Sequence, residues 1–155
     1  MGKITAETAV LRVGSAYPSP FDQPCQKRKR WRLGDVAGLT QFGVNLLRLP
    51  QGAWSSQRHW HSTEDEFVWV IEGEVVLVTD EGEQILRAGE GAGFPAGVKN
   101  GHHLQNRSSQ DAVVLEVGSR RPGEDVCDYP DIDMTLKPDA GFTRRDGTPY
   151  EAGKK

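Results

Sequence analysis

No stretch of this sequence comes near the roughly 18 consecutive apolar residues that a membrane-spanning helix requires, so no membrane segment is expected. The opening residues Met1-Gly2-Lys3-Ile4-Thr5-Ala6-Glu7 contain no hydrophobic core of a secretion signal. Cysteine is almost missing. Cys25 and Cys127 are the only two, too few for a disulfide framework, and they could pair only if the tertiary structure brought the two flanks together. Without a secretion signal, two free thiols in the reducing cytoplasm are expected. A strong charge of one sign is missing too. A net charge of −3 gives no general attraction to nucleic acid or to an anionic membrane, and neither is expected as a partner. Histidine is scarce as well, four in 155 residues, yet all four lie between positions 59 and 103.

Glycine and proline, by contrast, are plentiful, at 18 and 9 residues. They suit many short strands joined by tight turns. A hydrophobic share of 36% and a charged share of 26% are ordinary for one globular domain large enough to bury a core. From Gly43 onward, apolar and turn residues alternate in a β pattern. The expected strands are Val44 to Leu49, Ser55 to His61, Glu66 to Glu72, Val75 to Thr79, Gln84 to Arg87, Gly91 to Phe94, His102 to Asn106 and Ala112 to Val117. About eight short strands at close spacing argue an all-β sandwich or barrel. In the strand from Glu66, apolar residues at both parities (Phe67, Trp69, Ile71; Val68, Val70) predict burial on both faces.

Residues 1–40 read as an N-terminal arm packing on the barrel, broken by Pro18, Pro20 and Pro24; 41–118 as the barrel core; and 119–155 as a C-terminal extension. The arm carries the basic run Lys27-Arg28-Lys29-Arg30, followed by Trp31 and Arg32. Such a run can bind phosphate or nucleic acid. Four charges with no helix-turn-helix pattern are read instead as a solvated arm, or one whose charges meet the acidic tail. In that tail, Ile132, Met134 and Leu136 alternate as an edge strand should, packed on the barrel or across a dimer.

The chemistry concentrates in Gln57-Arg58-His59-Trp60-His61-Ser62-Thr63-Glu64-Asp65-Glu66. On a strand, residues two apart share a face, so His59 and His61 project together, with Gln57 beside them and Trp60 opposite. Ser62 to Asp65 must turn the chain, after which Glu66 can come back against the two imidazoles. Two imidazoles and a carboxylate suit a divalent metal such as Mn, Fe, Ni or Zn. Glu64 and Asp65 are rival carboxylates, read as turn caps or solvent-facing groups.

The spacing His59-x-His61-x4-Glu66-x6-Gly73 resembles the first sequence motif of the cupins. Gly89, Pro95, Gly97, His102 and Asn106 resemble the second, with four residues rather than two between Gly97 and His102. The resemblance implies a double-stranded β-helix, or jelly-roll, cupin barrel, with His59, His61, Glu66 and His102 converging on one divalent metal ion inside it. It also implies a homodimer and a small-molecule ligand or substrate. The whole chain resembles the small single-domain bacterial cupins described as sugar-phosphate isomerase-like. Two functions of different class follow. One is a metal-dependent enzyme acting on a small polar molecule, as an isomerase or a dioxygenase; the other is a ligand-binding or sensor module without turnover. Isomerisation needs a base, for which Glu64, Asp65 and His103 are candidates.

The fourth ligand is a choice between His102 and His103, since neighbours on a strand face opposite ways. His102 has the spacing to Asn106 and follows Gly101, whose conformational freedom could bring the strand into register; a bulge in the longer loop would favour His103. Asn106 is read as supporting the strand or turn. Trp54, Trp60 and Trp69 are read as packing residues that could also stack a substrate ring. Arg48, Arg58 and Arg107 are read as surface pairs that could also hold a phosphate or carboxylate. The basic run predicts no sequence-specific DNA binding. A labelled duplex should be held only weakly, with binding abolished as salt is raised toward physiological strength; salt-resistant binding would contradict this.

Overall fold

The computed structural model describes residues 2–151. The last four residues of the expected C-terminal extension, 152–155, lie outside them. The strands are β1 (Val10–Val13), β2 (Lys29–Arg32), β3 (Phe42–Leu49), β4 (Trp60–His61), β5 (Glu66–Glu72), β6 (Glu74–Thr79), β7 (Gly82–Arg87), β8 (Gly91–Phe94), β9 (His103–Gln105), β10 (Ala112–Ser119), β11 (Cys127–Tyr129), β12 (Met134–Lys137) and β13 (Gly141–Thr143). They form a six-stranded sheet in the order β1-β2-β3-β10-β5-β8, a four-stranded sheet β13-β12-β11-β4 and a three-stranded sheet β7-β6-β9. All their pairings are antiparallel. The architecture is an all-β jelly roll. Among the described residues no helix is long and apolar enough to cross a membrane.

The core lies inside the barrel, where Leu47, Leu49, Val70, Val75, Leu77, Ala112 and Val114 are buried together. These are inward residues of alternating strands, as the pleat requires. A second apolar cluster, built on Tyr17, Cys25, Cys127, Tyr129 and Met134, fastens the N-terminal arm to the C-terminal strands. Both cysteines are free and buried in it. At Gly73, where β5 turns into β6, φ is +74° and an added Cβ would lie 2.8 Å from the Asp111 carbonyl oxygen, so only glycine fits.

Several expectations are corrected. The basic run is no solvated loop: β2 begins at Lys29 and pairs with both β1 and β3. Arg30 meets Glu116 on β10 at 2.7 Å, not the acidic tail. The expected strand Ser55 to His61 shortens to Trp60–His61, because the N–H groups of Trp54, Ser55, Gln57 and His59 go singly to Pro24, Leu104, the Tyr17 hydroxyl and His102 rather than to one neighbouring strand. The tail strand holding Met134 and Leu136 lies between β11 and β13, an inner position rather than an edge. On β5, Val68 and Val70 are buried, but Phe67, Trp69 and Ile71 are 42%, 42% and 44% exposed. The outer face of this sheet is uncovered in the single chain, so apolar parity did not report burial there.

Asn106 ties the turns beneath β9 together. It is fully buried; its amide donates to the carbonyls of Leu49 and Gln110 at 2.7 Å each, and its oxygen accepts from the Ser108 N–H and hydroxyl. Asn106→Ala should leave those groups without partners and lower the urea unfolding free energy by about 2–4 kcal/mol.

Candidate metal centre

The backbone brings the two histidine-bearing segments face to face. The His59 N–H donates to the His102 carbonyl at 3.2 Å and the His102 N–H to the His59 carbonyl at 2.9 Å. β11 then holds β4 from its other side, with Cys127 opposite His61. Glu66 opens β5 between Phe94 on β8 and Gly118 on β10. As a result three imidazoles surround one carboxylate oxygen. Glu66 Oε2 lies 2.7 Å from His102 Nε2, 3.4 Å from His59 Nε2 and 3.4 Å from His61 Nε2. The four residues named from the motif spacing are therefore neighbours. Gln57 does not join them: its side chain turns to the Phe21 carbonyl at 2.6 Å.

The outer ring nitrogens decide what the inner ones can do. His59 Nδ1 lies 2.8 Å from the Gln57 carbonyl oxygen, which can only accept, so Nδ1 carries the proton. His61 Nδ1 lies 2.6 Å from Asp125 Oδ2 and donates to it in the same way. With Nδ1 committed, each ring turns its Nε2 toward Glu66, where it offers a lone pair to a cation or, once protonated, a hydrogen bond to the carboxylate. Such nitrogens beside a carboxylate make a donor set that fits a divalent metal. His102 differs: its Nδ1 is buried without a partner, and its ring stacks on Phe94 at 3.6 Å.

The titration of these groups follows from the enclosure. Burial pushes the Glu66 carboxyl up, but hydrogen bonds from His102 and His59, with the charge of the imidazoles, hold it well below the carboxylate range. Burial pushes His59 down, yet the hydrogen bond and charge of Glu66 outweigh it and raise His59 above its ordinary value. Burial dominates at His102 and lowers it. Burial likewise tends to raise Asp125, and its hydrogen bonds with His61 and Thr63 overcome this and lower it.

His103 faces the other way. Its Nδ1 donates to the Ser56 carbonyl at 2.9 Å, its Nε2 accepts from the Gln105 amide at 3.0 Å, and burial pushes it down to about 4. It is a neutral, fully bonded ring that packs edge-on against Trp54. Gly101 serves the register by close packing, not by a positive φ: an added Cβ would meet Pro130 at 2.8 Å.

Two cavities meet at this centre. One of about 320 Å³ reaches it from the His61 side, lined by Trp60, Glu64, Leu77, Phe94 and His102 among others. Another of about 230 Å³ reaches it from the His59 side. Glu64 is not a solvent-facing cap: its side chain is 14% exposed and lines the first cavity, with one oxygen accepting from the Arg121 N–H at 2.6 Å. Asp65 caps not its own turn but the one at Pro95 to Gly97, accepting from the Ala96 N–H at 2.8 Å. Trp60 borders the first cavity, while its indole N–H reaches Asp128 at 3.2 Å. Asp125 was invisible in the sequence. It stands 64 residues from His61 in an acidic tail where nothing in the spacing sets it apart.

A protein-family model described as Cupin domain matches residues 45–118. None of the curated proteins matches the chain. Among solved structures, a sugar phosphate isomerase from a cupin superfamily, from Silicibacter pomeroyi, is 45% identical, with 97% of this chain and 98% of that one covered and a TM-score of 0.89. A protein from Acidithiobacillus ferrooxidans, provisionally described as a sugar phosphate isomerase, is 27% identical over 83% of this chain and 82% of its own, with a TM-score of 0.71. A polyketide cyclase from Streptomyces resistomycificus, 21% identical over 79% of this chain and 82% of its own, shares the fold at a TM-score of 0.62.

The lowered Asp125 carboxyl has a consequence for acid stability. A carboxyl depressed in the folded state contributes stability that is present above its unfolded value, about 4, and lost as pH falls through the folded value. In chelator-treated protein, Asp125→Asn should therefore flatten the fall of the urea midpoint between pH 6 and 3. An unchanged slope would show that the His61–Asp125 pair contributes nothing.

Proposed function

The chain belongs to the cupin superfamily, and on that premise we propose that it is a metal-dependent isomerase of a small phosphorylated sugar, holding one divalent transition-metal ion on His59, His61, Glu66 and His102. The observation that carries this reading is the meeting of three imidazole Nε2 atoms on one Glu66 oxygen, two of them with tautomers set from behind by Gln57 and Asp125. The sugar phosphate isomerase from Silicibacter pomeroyi, similar along nearly its whole length, supports the choice of reaction. A divalent ion bound there would polarise a carbonyl or hydroxyl oxygen of the substrate.

Aldose–ketose isomerisation moves a proton between neighbouring carbons. A base removes it from the carbon bearing the hydroxyl and returns it to the former carbonyl carbon, while the hydroxyl proton passes to the carbonyl oxygen. Of the three candidate bases, Glu64 has the place for this role. It lines the cavity beside His61 and Glu66, whereas both nitrogens of His103 are occupied and Asp65 is held by the turn. A second carboxylate in the cavity is what proton transfer needs and oxygen activation does not, which favours isomerase over dioxygenase. Trp60, Leu77, Leu86, Phe94 and Val98 belong to the apolar part of the wall, which would exclude water from the reacting carbons.

Protein purified without a histidine tag or added metal should carry close to one divalent transition metal per chain, and His59→Ala with His61→Ala should remove most of it. Full metal content in that double variant would sink the metal reading. Metal-loaded protein incubated in heavy water with a panel of aldose phosphates should exchange the hydrogen next to the carbonyl, and Glu64→Gln should slow this by about 100-fold or more. Tight binding of the panel without exchange would point to a binding module without turnover.

A further inference from the structure

The arginines that stand out in the sequence as possible anion ligands are committed elsewhere. Arg48 pairs with Asp111 at 3.4 Å, Arg107 with Glu83 at 2.7 Å, and Arg58 with both Asp131 at 2.6 Å and Asp80. The basic run of the arm is different. Lys27 and Lys29 are exposed, while Arg28 and Arg30 turn inward. Arg30 is neutralised by a two-pronged bond to Glu116, at 2.7 and 2.8 Å. Arg28 has no such partner. It is 7% exposed, and its guanidinium reaches only backbone oxygens, Gly14 at 2.9 Å through Nε and Ser55 through Nη1. Its Nη2 makes no hydrogen bond, and it joins no ion pair, among the described residues. A guanidinium withdrawn from water without a counter-charge is unfavourable unless an anion meets it.

Arg28 and Arg30 line the 230 Å³ cavity that reaches the metal centre at His59, Glu66 and His102, and Arg120 lines it with them. Arg120, just beyond β10, is also underused: its nearest carboxylate, Glu64, is 3.9 Å away. The same three arginines border a wider cleft of about 1850 Å³, which adds Arg12, Arg32 and Arg144 and has only Asp22 and Glu151 as acidic lining residues. In a chain of net charge −3, this is a local reversal of sign. Guanidinium forks match the oxygens of phosphate in geometry and charge. Forks arriving from Arg28, just ahead of β2, and from Arg120, just beyond β10, can hold three oxygens of a tetrahedral anion, where a carboxylate offers two.

We propose that Arg28 and Arg120, with Arg30 held beside them by Glu116, form a phosphate-binding subsite, which takes the phosphate monoester group of the ligand through the cleft and directs the remainder toward His59, Glu66 and His102. The subsite stands on the arginines alone. That the phosphate belongs to the molecule transformed at the metal centre rests on the isomerase reading above. The 3.9 Å approach of Arg120 to Glu64 joins the two, since the residue that would hold the phosphate also borders the residue that would move the proton.

The test uses chelator-treated full-length protein, so that phosphate coordinated to a metal contributes nothing. Inorganic phosphate, titrated by calorimetry and followed by phosphorus resonance, should bind saturably with one site per chain. Arg120→Gln should weaken binding about tenfold or more, as loss of a charge-assisted contact does. Arg28→Gln should do the same or more. Because Arg28 also braces Gly14 and Ser55, that variant can fail to fold; Arg120, with 43% of its side chain exposed, keeps the test decisive. Arg107→Gln, on the outer Glu83 pair, should bind as the wild type does. Absence of saturable binding, equal binding by Arg120→Gln, acetate binding as tightly as phosphate, or binding that appears only after metal is restored would each overturn the subsite. The metal reading is decided separately, by metal content.

Discussion

The structure depends on a cluster that water would otherwise dissolve: one carboxylate oxygen of Glu66 with three imidazole nitrogens at 2.7 to 3.4 Å. Enclosure makes every charge in it costly unless paired. The chain meets that cost by bonding the outer faces of two of the rings, through the Gln57 carbonyl and the Asp125 carboxylate, which turns their Nε2 atoms inward. The reciprocal backbone bonds between His59 and His102 keep two of the rings opposed. A cation-seeking pocket follows from these constraints before any substrate is considered.

The segments outside the barrel serve that pocket. The tail supplies Asp125 and the strand β11 that holds β4 in place. The arm supplies Arg30 from β2 and Arg28 from just ahead of it, both turned inward. Tyr17 of the arm and Tyr129 of the tail meet edge to face at 5.6 Å, and Tyr129 lies over His59 at 5.8 Å, so the two flanks also close the wall behind His59.

Charge is divided accordingly. Arg48, Arg107 and Arg145 each meet one carboxylate and Arg58 meets two, and such surface pairs contribute little individually. The inner arginines are matched only in part, with Glu116 taking Arg30 and leaving Arg28 to carbonyl oxygens. The acidic and apolar cavity on the His61 side and the cationic one on the His59 side give the centre two chemically different approaches.

Much of this was determined by the sequence itself. Period-two spacing set His59 beside His61, turn residues set β5 to begin at Glu66, and the run of short strands pointed to an all-β sandwich or barrel, because local periodicity and turn chemistry are short-range properties; the resemblance of the two motifs to the cupins narrowed this to a jelly roll. His102 and not His103 is the ring that faces Glu66, in line with the spacing to Asn106. What only the tertiary structure decided lies at long range. No periodicity relates Asp125 to a histidine 64 residues earlier, or Arg30 to a glutamate 86 residues later. The basic run looked solvated because its inward members are told from its outward ones only by the strand pairing that β3 imposes. The apolar stripe Phe67-Trp69-Ile71 looked buried because parity reports which face a residue is on and not what covers that face.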